Sequence, residues 1–132
     1  MNINGDIIPS SIKSAVETLV SAMDEQDKRA IRAASDGTVF HHTLGTGMRN
    51  AWSFWEADSP LKRDAVASYG IAHADDISGL IIAWTCAEVR GESFDPVAHC
   101  QKFHEHWAMY GTDALAAGGW PPTGEEGKSF DG

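Results

Sequence analysis

One stretch governs what this chain can become. Between Asp76 and Arg90, Ile77, Leu80, Ile81 and Trp84 fall on one side of a helix, and Ile82, Cys86 and Val89 fall on another. A helix that is apolar over most of its surface has to be wrapped by other elements. Asp75 reads as its cap and Gly91 as its stop. The spacing therefore predicts a buried central helix with partners packed around it.

The rest of the chain supplies those partners. Pro9-Ser10-Ser11 reads as a helix start, followed by Ile12, Val16, Leu19, Val20 and Met23 at helical spacing. Asp24 reads as the cap of a shorter helix that carries Ile31 and ends at Ser35-Asp36-Gly37. Thr38 is placed to cap a third helix, continuous from Val39 to about Trp55, with Phe40, Leu44, Met48, Ala51 and Trp55 on one stripe. Pro60 to Tyr69 reads as a fourth, begun by proline and ended by Gly70. Asp95-Pro96 opens a last helix with a core stripe of Cys100, Phe103, Trp107 and Tyr110, stopped by Gly111. No alternating strand pattern of useful length occurs. The expected fold is all-α, a single compact bundle of about five or six helices over residues 1–117. Residues 118–132 turn Gly/Pro-rich and acidic and read as a tail, in which Trp120 and Phe130 are the side chains able to anchor it.

Charge narrows the classes of partner. Ten Lys and Arg against 19 Asp and Glu leave a net charge of −9 over 132 residues. Binding to a phosphate backbone needs a positive patch, so direct nucleic-acid binding is not expected, whereas a basic protein surface suits this balance. No apolar run of spanning length and no basic-then-apolar leader occur, so a cytoplasmic protein without membrane contact is expected. Cys86 and Cys100 make neither a disulfide framework nor a four-thiolate zinc site.

Six histidines raise the question of a metal, and their spacing answers against one. Neither His-Glu-x-x-His nor Cys-x-x-Cys occurs. His99 and His106 share one flank of the last helix and His104 lies on the other, so the three cannot ligate one ion from a regular helix. No metal and no cofactor are expected. Two polar stretches remain as low-prior candidates for chemistry. In the first, His41 borders the core, while His42, Thr46, Arg49 and Ser53 line the face away from the apolar stripe. Arg49 there offers a planar fork for a carboxylate or phosphate. In the second, His73-Ala74-Asp75-Asp76, the aspartates suit a helix start, and His73 with either of them could make an acid–base or metal pair. Helix packing would bring Arg49 to Asp75 or Asp76, either as an interhelical strut or as the floor of a small pocket.

Phe40-His41-His42-Thr43-Leu44-Gly45, Met48-Arg49-Asn50, Trp55 and His73-Ala74-Asp75-Asp76-Ile77-Ser78 together resemble a group of small bacterial and phage-associated helical domains of unknown function. Their pattern is roughly His-x-x-Leu-Gly, then Arg-Asn, then an aromatic pair, then His-x-Asp-Asp-x-Ser, and it covers about residues 38–90 here. The resemblance implies that the two polar stretches belong to one site. It implies no reaction.

Three functions follow as expectations. The first is a non-enzymatic acidic binding protein whose carboxylates stand where phosphates would sit on a basic groove, such as a phage-borne inhibitor of a nucleic-acid-handling defence complex of the anti-CRISPR kind. Its contacts would be Glu17, Asp24, Glu25 and Asp27 on the first two helices, with Glu125 and Glu126 on the tail. The second is a metal-dependent hydrolase using His41, His42, His73, Asp75 and Asp76. The third is a structural domain that forms a homodimer through its surplus tryptophans. The chemistry available leans away from an enzyme.

Overall fold

A computed structural model describes residues 8–34, 46–52 and 58–122. Seven helices and no strand occur among the described residues: α1 (Ile12–Ala22), α2 (Glu25–Ala33), α3 (Thr46–Ala51), α4 (Pro60–Tyr69), α5 (Ala74–Arg90), α6 (Pro96–Met109) and α7 (Ala114–Ala117). The all-α expectation is met. Short α7 is an addition to the five or six helices expected.

α5 is the axis. Ile77, Leu80, Ile81, Ile82 and Cys86 are buried around its circumference, and α1, α2, α3 and α6 all pack on it. The doubled apolar stripe of its sequence thus has a partner on each side. α4 bridges α1 and α6, and α7 packs on α6. Ile12, Val16 and Leu19 of α1, Ile31 of α2, Met48 and Trp52, and Leu61 of α4 complete the core. Each of these apolar side chains contributes about 1.5–3 kcal/mol by leaving water.

Side chains fix the helix ends. Ser11 and Ser14 form a reciprocal capping box at the start of α1. The next free N–H of that turn, on Ile12, donates to Asp64 Oδ2 of α4 at 2.7 Å, which ties the two helices together. Asp24 and Asp27 repeat the capping box on α2. At the other end of α2, the Arg90 guanidinium donates to Ile31 O at 2.9 and 3.2 Å and to Ala34 O at 2.7 Å. A cation on the exposed carbonyls of a helix C-terminus satisfies them and opposes the helix dipole. Gly70 ends α4 in the left-handed conformation, at φ 67°.

Four expectations need correction. α2 stops at Ala33 with an extended cap at Ala34, because Arg90 takes its final carbonyls; Ser35-Asp36-Gly37 lie outside the described residues. α3 ends at Ala51 and Trp52 stands in a turn, fully buried, so the helix does not run on through Trp52; Phe40 and Leu44 before it and Trp55 after it lie outside the described residues. The cap of α5 is His73, not Asp75: His73 Nδ1 accepts from Asp75 N–H at 3.1 Å. Tyr110, expected in the core stripe, caps α6 instead and is 71% exposed.

Candidate functional site

From the first polar stretch, Arg49 reaches the second at the N-terminal end of α5. Arg49 projects from α3 and donates from Nη1 to Ser78 Oγ at 2.8 Å, and the same nitrogen lies 3.9 Å from Asp75 Oδ1. The Ser78 hydroxyl in turn donates to Asp75 O at 3.1 Å. Arg49 was placed on a face turned from the core, yet its side chain is only 15% exposed. The expected partnership with an aspartate is real but secondary, since the short contact is to serine. Asp75 faces outward, 67% exposed, with His73 Nδ1 at 4.0 Å from its other oxygen.

Asp76 turns the opposite way. It is buried, and its Oδ2 accepts from Trp107 Nε1–H of α6 at 2.8 Å. Burial pushes its carboxyl above the ordinary carboxylate range; the Trp107 bond and the His73 and His106 imidazoles pull it back. The His73 ring tilts over the Trp107 indole at 5.4 Å, and His106 meets the same indole edge-on at 4.8 Å. A neutral His73 that accepts at Nδ1 carries its proton on Nε2. The adjacent carboxylates of the sequence pair therefore diverge, one toward water and one toward an indole. Among the described residues no three His, Cys, Asp or Glu side chains gather closely enough to hold a metal ion. His41 and His42 lie outside the described residues.

The other histidines sit at core edges. His104 Nε2 lies 3.2 Å from Tyr69 O. His99 is wedged between Phe94 and Phe103, and burial lowers its pKa to about 4. Among the described tryptophans, Trp52 is fully buried and Trp84, Trp107 and Trp120 are half-buried, so they pack within the fold.

The proposed partner contacts divide. Asp24 and Asp27 are engaged in the cap of α2, each accepting the other's backbone N–H at 2.8 and 3.3 Å, and the Asp27 N–H bond holds the Asp24 carboxyl below the ordinary carboxylate range. Glu25 faces Arg32 at 3.8 Å across exposed surface. Glu125 and Glu126 lie outside the described residues. Glu17 has the most suggestive position. It lines a groove of about 240 Å³ between α1 and α5, with Val16, Val20 and Trp84 as apolar floor and Lys13, Ser21 and Glu88 along the rim. Trp84 is held there by a stack on Phe94 at 5.7 Å and an edge contact from Tyr69 at 6.5 Å.

Sequence reasoning missed Glu88, Trp84 and Trp107 as site residues. Trp84 and Trp107 read as core because a helical stripe carries no mark for an indole that lines a groove or donates to a carboxylate. Glu88 had a usable signal: it is the carboxylate one turn past Trp84 on the predicted central helix. Among the described residues no helix is long and apolar enough to cross a membrane. No curated protein and no solved structure matches the chain. The match to a family model spans residues 8–87, from the start of α1 through most of α5, and takes in Arg49, His73, Asp75, Asp76 and Ser78; by that match the chain belongs to the family described as a domain of unknown function, DUF6794.

Proposed function

We propose that the chain is a non-enzymatic acidic binding protein that seats a basic, partly apolar segment of a partner protein in the α1–α5 groove. One observation carries this reading: Glu17 and Glu88, from two different helices, flank an apolar floor of Val16, Val20 and Trp84. An Arg or Lys side chain fits such a groove, with its aliphatic stem on valine and indole and its charge between the carboxylates. The net charge of −9 favours approach of a basic partner from a distance. Nucleic-acid-handling complexes present segments of this kind, and blocking one, as an anti-CRISPR inhibitor does, is the specific form of the proposal.

The test is titration of the full chain with a labelled Arg/Leu amphipathic peptide and with its Glu/Leu counterpart, at low and high salt. The Arg peptide is expected to bind, to weaken as salt rises, and to lose at least ~10-fold in affinity on Glu17→Lys with Glu88→Lys. Equal affinity of that double variant and the parent chain would overturn the groove. A purified CRISPR effector whose DNA binding is unaffected by excess chain would remove the inhibitor form while leaving the peptide result standing.

A further inference from the structure

We propose that α6 and α7 form a cap that undocks as one unit from the rest of the chain, uncovering Asp76 and His73 at the start of α5. The two helices differ in how they are held. α5 buries eleven residues, whereas α6 buries only Cys100 and leaves His99, Phe103, His104 and Trp107 half-buried. Elements with little buried apolar surface open at free energies below that of global unfolding.

Apart from the contact of His104 with Tyr69 O at the end of α4, the polar and backbone attachments of the cap converge on one place. Trp107 donates to Asp76 and lies over His73. Gly118, directly after α7, presses its backbone on Ala72 and His73 so closely that an added Cβ would collide with Ala72 C and His73 N. α6 and α7 also pack on each other. Each ends in a closed turn: Thr112 N–H donates to Trp107 O at 3.2 Å after α6, and Trp120 N–H donates to Leu115 O at 2.9 Å after α7. The family match ends at residue 87, before α6 begins. The principal polar bond of the seat is to a carboxylate that docking removes from water, so undocking returns Asp76 to solvent and offsets part of the lost contact.

Two free thiols report on this directly. Cys100 lies on the cap and Cys86 on α5, one turn before the Arg90 that grips α2. Both are buried; burial pushes the Cys100 thiol up to about 12 and the Cys86 thiol up as well, so each reacts only after opening. The experiment is N-ethylmaleimide labelling of the native full chain, with each cysteine followed by peptide mass spectrometry. Cys100 is expected to label at least ~10-fold faster than Cys86. Trp107→Phe keeps a ring on His73 but deletes the donor to Asp76; it is expected to speed Cys100 labelling by roughly 5–10-fold and leave Cys86 unchanged. Gly118→Ala should act in the same direction and serves if the Trp107 variant fails to fold. Equal rates at the two thiols, or variants that speed both equally, would mean that α6 opens only when the whole protein unfolds, and would overturn the proposal.

Discussion

Arg49 separates two accounts of how the polar stretches are joined. If an ion pair holds α3 to α5, Arg49 and Asp75 should be strongly coupled. If the hydroxyl holds it, the coupling belongs to Arg49 and Ser78. The geometry favours the second. The contact to Ser78 Oγ is 2.8 Å and half-buried, whereas Asp75 Oδ1 is 3.9 Å away on a side chain 67% exposed. A hydrogen bond with a charged donor in such a setting contributes about 1.5–3 kcal/mol. An ion pair at that distance and exposure contributes about 0–1 kcal/mol. Two double-mutant cycles by urea denaturation, Arg49→Ala with Ser78→Ala and Arg49→Ala with Asp75→Ala, isolate the two terms from everything else Arg49 touches. The serine cycle is expected to give about 2 kcal/mol of coupling and the aspartate cycle less than about 0.5 kcal/mol. The reverse order would refute the reasoning and restore the ion pair as the joint.

Other outcomes follow from the same contacts. Arg90→Ala removes all three bonds to the end of α2 and should cost about 2–3 kcal/mol, with hydrogen exchange accelerated most in Glu25–Ala33; uniform acceleration across α1 and α2 would contradict a local clamp. The Thr85 hydroxyl is fully buried with no hydrogen-bond partner among the described residues, so Thr85→Val, of nearly equal shape, should stabilise the fold by about 1 kcal/mol in urea melts. Asp76→Asn keeps an acceptor for Trp107 without a buried charge. Because burial raises the Asp76 carboxyl in the folded state, ionisation costs stability above that raised value, and the cost disappears as pH falls through it. The asparagine variant should therefore be the more stable at neutral pH, with the difference closing on acidification; a gap that widens on acidification would contradict the sign.

The helices were legible wherever a cap and an apolar period agreed. Ser11 before Ile12, and the two-sided stripe ended by Gly91, located α1 and α5 because local chemistry and packing demand the same boundaries there. The errors fall where a distant partner decides. Aspartate is the commoner cap, so Asp75 was the natural choice for α5. His73 takes the role because its ring is held against Trp107, far along the chain. α3 has fewer than two turns, too short for a helical wheel to show which side of Arg49 meets α5. Asp76 could not be assigned to an indole from spacing, since the docking angle of α6 is not written in either helix. The groove at Glu17 was half visible: its acidic character showed in the net charge, but its second wall, Glu88, depends on how α1 lies along α5.

The bare backbone at Gly70 has a mechanical consequence. A side chain begun there would meet the edge of the His104 ring at 3.2 Å, and that ring rests its Nε2 on Tyr69 O just before the turn. The height of α6 above α4 is thus set by a missing methyl group beneath an imidazole. A substitution at 70 would therefore act twice, straining the left-handed turn at φ 67° and pressing a Cβ on the imidazole, and a smaller residue at 104 would relieve only the second.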